Sequence, residues 1–254
     1  LCRSSAASDV YKRQEVDSLI TWVHILMAIL LVGWGAFYIY CLIRFRQSAN
    51  PKADYAGVTS HTSSYLEAGV AVVEVVLLIG FAFPIWNRWV NEPPAEADSE
   101  VVRVVAEQFA WNMHYPGADG KFGRTSTEFL DVETNPLGLD RSDPNAKDDF
   151  VTLNQLHLPV NKPVRILLSS KDVIHSFKLI QMRVTQDAIP GMEIPVWFTP
   201  TKTGKYEIAC AQLCGIGHYR MKGFVTVDSA EDYAAWKAEQ AAEAAGSDED
   251  DFWG

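Results

Sequence analysis

A run of uncharged, mostly apolar residues at positions 19–43 constrains this chain more than any other feature. A helix of 25 residues is about 37 Å long, which is enough to cross a hydrocarbon core about 30 Å thick. A second apolar stretch, 65–90, follows after a short polar segment. The two stretches predict a pair of transmembrane helices in a lipid bilayer.

The second stretch contains two carboxylates, Glu67 and Glu74. They are seven residues apart and therefore lie on one face of a helix. A carboxylate within a span is costly, so it usually faces protein or a water-filled path. The pair predicts a face used for proton movement or for contact with a partner.

The charges around the spans predict their direction. The intervening segment carries Arg44, Arg46 and Lys52 against a single acid, whereas Glu15 and Asp17 precede the first span. The positive-inside rule places the intervening segment in the cytoplasm. Everything after about residue 90 is then expected on the outer side.

The outer part of the chain, 99–229, has the pattern of β-structure. Short β-branched or aromatic runs alternate with Pro, Gly, Asn and Asp, which predicts about seven or eight strands in a Greek-key sandwich. The polar insertion 116–150 is rich in aspartate, but its spacing is not that of a calcium loop, so a solvated loop is favoured. An Ala- and Glu-rich tail predicts a short surface helix with a disordered acidic end.

These observations divide the chain into seven parts. The first fourteen residues contain no apolar run of signal-peptide length and are excluded from the fold as a leader of non-native appearance. The expected parts are this leader (1–14), the first transmembrane helix (15–45), a cytoplasmic loop (46–64), the second transmembrane helix (65–90), a linker (91–98), the β-domain (99–229) and the acidic tail (230–254).

The stretch CAQLCGIGHYRM, residues 210–221, concentrates two cysteines, a histidine and a methionine. A disulfide between Cys210 and Cys214 would not explain the other two residues. A zinc site would need His175 from elsewhere and would leave Met221 unused. Thiolate, imidazole and thioether together suit copper. One blue copper needs a single cysteine, whereas two cysteines can bridge two coppers.

At these residues the chain resembles subunit II of the haem–copper cytochrome c oxidases. The resemblance spans about residues 17–229 and is carried by IHSFKLIQMRVTQDAIPGM followed by CAQLCGIGHYRMKG, with the pattern H…C-x3-C-x3-H-x2-M. It implies a cupredoxin-like domain with a binuclear copper A centre holding two coppers. The implied ligands are His175, Cys210, the main-chain carbonyl of Gln212, Cys214, His218 and Met221.

The resemblance also implies a function, partners and a location. The chain would be the electron-entry subunit of an aerobic terminal oxidase in the bacterial inner membrane, with its C-terminal domain in the periplasm. Electrons would pass from cytochrome c, or a tethered haem c domain, to haem in subunit I, where oxygen reduction is coupled to proton pumping; subunit III is also expected. The net charge of −10 suits a basic protein donor and argues against nucleic acid.

Three positions deserve comparison with the family pattern. Gln212 stands where the family usually has Glu, and because an amide is a poorer ligand for a hard cation, the family's magnesium at the subunit I boundary is in doubt. In the stretch QFAW, Phe109 replaces the tryptophan of electron entry while Trp111 remains, so we assign entry to these two.

Glu67 precedes Phe83–Pro84 by the interval of the family's proton-uptake glutamate and is expected to serve that role.

Two alternatives fit part of the sequence. A quinol-oxidase subunit II would keep the spans and the sandwich but lack the copper ligands. A membrane-anchored periplasmic copper-binding carrier would keep the ligands but would have no use for Glu67. We retain the carrier as the alternative function.

Overall fold

A computed structural model describes residues 14–52, 55–57 and 59–250. The proposed leader therefore lies outside the described residues, apart from Gln14. The described chain forms two compact units that divide between Pro93 and Pro94. Each unit is described by itself.

The first unit consists of helices long and apolar enough to cross a membrane. Helix α1 (Gln14–Arg44) contains the first candidate span, Val16–Arg44. The second candidate span, Thr62–Arg88, comprises α2 (Thr62–Leu77), a π-helical turn (Leu78–Ala82) and the start of α3 (Phe83–Asn91). Pro84 lacks an N–H, which removes one i to i−4 bond and accounts for the irregular turn before it.

The second unit is an all-β sandwich with a C-terminal helix, α4 (Ala230–Asp250). Its ten strands are β1 (Glu100–Glu107), β2 (Ala110–Tyr115), β3 (Phe150–Leu153), β4 (Gln155–Pro159), β5 (Val164–Ser170), β6 (His175–Leu179), β7 (Val184–Ala188), β8 (Ile194–Phe198), β9 (Gly204–Cys210) and β10 (Lys222–Asp228). The predicted combination of two apolar N-terminal helices and a β-sandwich is confirmed.

The ten strands form two five-stranded sheets. The first has the order β3-β2-β1-β5-β8 and the second the order β4-β10-β9-β6-β7. Most neighbours are antiparallel, while β1 pairs with β5 and β10 pairs with β4 in parallel. The expected seven or eight strands are too few. Residues 101–115 read as one run in the sequence but are broken by a turn at Gln108–Phe109, and the short strands β3, β4 and β7 were not among the recognised runs.

Alternating side chains from both sheets build the core. Strand β1 alternates buried and half-buried residues along its length, and β5 does the same, as expected for strands with one face toward a core. Val102, Ile166 and Phe177 are fully buried among the side chains between the sheets. This packed core fixes the strand ends from which the predicted metal ligands project.

The insertion between β2 and β3 is packed onto the domain, so the prediction of a solvated loop is wrong for its buried acids. Asp149 is fully buried and accepts hydrogen bonds from His114 Nε2 at 2.7 Å and from the backbone N–H groups of Gly117 and Gly123. Asp140 is 3% exposed and pairs with Arg124. These carboxylates hold the insertion in place through donors that are distant in sequence.

The C-terminal helix is longer and more firmly attached than predicted. It extends to Asp250, where a disordered end was expected. Tyr233 is buried and donates to Glu100 Oε1 at 2.8 Å, and Trp236 stacks on His157 with ring centroids 4.1 Å apart. The apolar and aromatic residues of the first turns therefore make this helix part of the domain.

Candidate metal centre

The predicted ligands converge at one end of the second sheet. His175 begins β6, Cys210 ends β9, and Met221 directly precedes β10. The loop between β9 and β10 is closed by a backbone hydrogen bond from Cys210 N to Met221 O. A second, from Ala211 N to Ser176 O, joins the loop to β6. Pairing of β6 with β9 brings His175 beside a loop that is distant in sequence.

The side-chain donor atoms of this site lie within a few ångströms of one another. The ligand atoms of His175, Cys210 and Cys214 all lie within 4.8 Å. His175 Nδ1 is 3.1 Å from Met221 Sδ, and Cys214 Sγ is 3.7 Å from the same sulfur. Cys214 Sγ is also 3.6 Å from His218 Nδ1.

The main-chain carbonyl expected from Gln212 is in the same place. Its oxygen is 3.1 Å from Cys210 Sγ, so all six predicted groups are brought together. His175 is fully buried, and Cys214 and Met221 are 4% and 2% exposed. Cys210 and His218 are half-buried, which leaves one side of the cluster closer to solvent.

The two cysteines are free thiols with their sulfurs 3.8 Å apart, well beyond a covalent S–S bond. Burial raises the pKa of Cys214 to about 11, and the hydrogen bond to Cys210 and the charge of Cys210 act in the same direction. A bound cation must therefore displace a proton from this thiol.

Asp172 orients the buried imidazole. Its Oδ1 is 2.9 Å from His175 Nε2, so Nδ1 faces the sulfur atoms. Burial raises the pKa of Asp172, but hydrogen bonds from His175 and from the backbone N–H groups of Gln108 and Val173 outweigh it, so the pKa lies below its ordinary value. A carboxylate holding the far nitrogen of a ligand histidine is a common supporting arrangement in metal sites.

The two aromatic residues assigned to electron entry occupy different environments. Trp111 is fully buried, with its ring centroid 6.1 Å from that of His175. Phe109 is half-buried, and its ring lies against the β9–β10 loop. A Cβ on Gly217 in that loop would lie 2.3 Å from the ring. Phe109 is therefore the more exposed of the two rings, and Trp111 lies beside His175.

Gln108 is not among the predicted site residues, yet it contacts both segments that carry predicted ligands. Its backbone N–H donates to Asp172 Oδ2 at 2.7 Å, and its side-chain amide donates to the Cys214 carbonyl at 2.6 Å. Sequence reasoning missed it because both contacts join positions far apart in the chain. Its place next to Phe109 was the only available signal.

Exposed apolar side chains are interspersed among the ligands. Leu213, Ile216 and Tyr219 are 78%, 93% and 85% exposed. Each sits within two residues of a predicted ligand, so the loop presents an apolar surface outward while its sulfur and nitrogen atoms face inward. This alternation within 210–221 was visible in the sequence but was not interpreted.

The fold and the site define a class of protein: a membrane-anchored β-sandwich with a cluster of sulfur and imidazole donor groups at one end. Residues 101–228 match the family model for the periplasmic domain of cytochrome c oxidase subunit II. The chain belongs to the cytochrome c oxidase subunit II family. It is thus a membrane-anchored member with a periplasmic domain.

Individual relatives carry the same family name. The alternative cytochrome c oxidase subunit 2 of Bradyrhizobium diazoefficiens is 36% identical over 205 residues, covering 80% of this chain and 72% of the relative. Cytochrome c oxidase subunit 2 of Cereibacter sphaeroides is 28% identical over 237 residues, covering 87% and 75%. The crystal structure of the periplasmic domain of subunit II of Bradyrhizobium japonicum gives a TM-score of 0.43 at 28% identity, covering 59% and 97%.

Proposed function

We propose that this chain is the electron-entry subunit of an aerobic terminal oxidase. It accepts one electron at a time from reduced cytochrome c at a dicopper centre and passes it to haem in subunit I, where oxygen reduction is coupled to proton pumping. The proposal depends on one observation: two thiols, two imidazoles, a thioether and a carbonyl meet at the end of the sandwich.

The donor set favours copper over zinc. A zinc site with two cysteines and two histidines would have no use for Met221, yet this side chain is buried against His175 and Cys214. Soft sulfur and imidazole ligands together suit copper. Cys210, Cys214, His175, His218, Met221 and the Gln212 carbonyl would together hold the two coppers.

The protein's own groups prepare the site for electron transfer. Bound copper supplies the one-electron redox change. Asp172 keeps His175 Nδ1 directed at the sulfurs, and the packed strand ends limit movement of the ligands. Burial of His175, Cys214 and Met221 excludes water from that side. A fixed, mostly dry site changes little in geometry on reduction, which favours fast transfer.

The proposed electron donor is a basic cytochrome c or a tethered haem c domain. The chain's net charge of −10 attracts such a donor. The proposed entry residues are Phe109, whose ring lies against Gly217, and Trp111, whose ring lies 6.1 Å from that of His175. Subunits I and III are the proposed partners within the bacterial inner membrane. We include no magnesium, because Gln212 offers an amide where the family has a carboxylate.

Copper loading of the full chain in detergent tests the proposal. We expect two coppers per chain and an electron paramagnetic resonance spectrum with hyperfine splitting from two equivalent copper nuclei. The variant Met221→Leu should alter that spectrum, whereas Met192→Leu, at an exposed methionine, should not. A single-nucleus spectrum would contradict the proposal and favour the copper carrier, and preferential retention of zinc would contradict both.

We also propose that Glu67 serves proton uptake into subunit I. It lies on α2, exposed on the surface of the helical unit, near the end of the span that the basic segment places in the cytoplasm. Glu67→Gln should lower turnover of the assembled oxidase, whereas Glu92→Gln, beyond the end of α3, should not. Unchanged turnover in Glu67→Gln would remove the role.

A further inference from the structure

Gln108 occupies the turn between β1 and β2 in the first sheet. The metal ligands all come from the second sheet and from its β9–β10 loop. We propose that Gln108 is a positioning residue that holds the two ligand-bearing segments in their metal-binding arrangement. This inference rests on the proposed copper site and assigns a role to a residue that is not a ligand.

The first contact acts on the histidine segment. The Gln108 backbone N–H donates to Asp172 Oδ2, and Asp172 Oδ1 bonds His175 Nε2. The turn therefore fixes the carboxylate that directs His175 Nδ1 toward the sulfurs. Because this contact uses the backbone, it persists when the Gln108 side chain is replaced.

The second contact acts on the cysteine segment. The Gln108 amide donates to the Cys214 carbonyl at 2.6 Å, which fixes the orientation of the peptide between Cys214 and Gly215. Gly215 has a φ of +134°, and a Cβ there would lie 2.7 Å from Gln108 Nε2. Both the backbone angle and the nearby Gln108 amide require glycine at position 215. The loop can therefore approach the amide this closely only because it has no side chain there.

The amide has two expected effects on a bound metal. It holds the peptide that carries the Cys214 ligand, so less ordering is needed when metal binds. It also brings partial positive charge to the backbone of the residue that would supply a thiolate, which favours the reduced, more electron-rich state of the centre. Loss of the amide should therefore speed metal release and lower the midpoint potential.

The test uses Gln108→Met in the full copper-loaded chain in detergent, with Gln155→Met as the control at an exposed glutamine on β4. In Gln108→Met we expect copper release to a chelator to be about three- to tenfold faster, which is the effect of one lost hydrogen bond. We also expect a lower midpoint potential of the copper centre. Gln108→Glu places a carboxylate against the Cys214 carbonyl. It should change the release rate and the midpoint potential at least as much. Gln155→Met should match the unsubstituted chain.

The outcomes separate this inference from the proposed function. An unchanged rate of copper release together with an unchanged midpoint potential in Gln108→Met would overturn the positioning role. Reduced stability of the metal-free chain with an unchanged potential would also overturn it, because that pattern indicates a purely structural contact. If the unsubstituted chain binds no copper pair, the proposed function itself fails.

Discussion

Gly217 leaves no room for a side chain beneath the ring of Phe109. Its φ of −92° is accessible to any residue, so the constraint is purely steric. Gly217→Ala would place Cβ 2.3 Å from the Phe109 ring and should lower the free energy of unfolding by about 1–3 kcal/mol. Thermal unfolding of the metal-free chain measures the loss.

A double-mutant cycle provides the control for this steric prediction. Phe109→Ala removes the ring that the added methyl group would meet. The cost of Gly217→Ala should then shrink in the Phe109→Ala background. Equal costs in the two backgrounds would show that the ring is not the obstacle.

The sequence revealed the residues of the candidate site unevenly. Cys210, Cys214, His218 and Met221 crowd into twelve residues, so local spacing was enough to find them. His175 was linked to them through the family resemblance. Residues that support the site through contacts far apart in sequence, such as Gln108 with Cys214, carry no local pattern and required the three-dimensional arrangement.

At the scale of elements, one carboxylate at the start of β1 contributes to the attachment of α4 beside the aromatic contacts of that helix. Glu100 accepts from Tyr233 and pairs with Lys162 and Lys237. Burial raises the pKa of Glu100, but the Lys162 hydrogen bond, the Lys237 charge and the Tyr233 hydrogen bond outweigh it, so the pKa lies below its ordinary value. The carboxylate's contribution to stability is therefore greatest when Glu100 is ionised.

This lowered pKa predicts an acid-sensitive helix attachment. The stabilisation is fully present above the unfolded-state pKa of about 4.3 and is lost as pH falls through the lower folded pKa. Glu100→Gln should lower the unfolding free energy by about 1–3 kcal/mol at neutral pH and reduce its dependence on pH in the acid range. Glu239→Gln, at an exposed site on the same helix, should keep the parent's profile.

The insertion between β2 and β3 depends in the same way on Asp149. The buried carboxylate satisfies His114 and two backbone N–H groups. Asp149→Ala leaves these donors unpaired and should cost about 3 kcal/mol or more of unfolding free energy. Asp187→Ala, at an exposed position on β7, serves as the comparison; similar small losses in both variants would refute the role of Asp149.

Element-level prediction succeeded where the pattern was periodic and failed where distant contacts decide. The apolar helices and most strands follow directly from composition and alternation. The break between β1 and β2 escaped notice because Gln108 and Phe109 are not typical turn residues. The aspartates of the insertion were interpreted as solvated because their partners, such as His114 and Arg124, cannot be inferred from the local sequence.

At the scale of the whole molecule, charge and hydropathy predict how the chain crosses the membrane. The basic segment between the spans is expected inside and the β-domain outside. Protease added to spheroplasts should therefore digest the β-domain while leaving the segment around Arg46 protected. Detergent permeabilisation should abolish that protection, and cleavage in the segment before permeabilisation would reverse the predicted orientation.

The contacts of Gln108 join the first sheet to the β9–β10 loop of the second. That loop is therefore not a module that can be transferred to another protein by itself. A graft of residues 210–221 onto another sandwich would carry four side-chain donors but would leave behind His175, its Asp172 support and the amide that holds the Cys214 peptide. Loop transplantation should therefore succeed only in hosts that supply an equivalent β1–β2 corner together with equivalents of Asp172 and His175. A protein engineer would need to move three chain segments together.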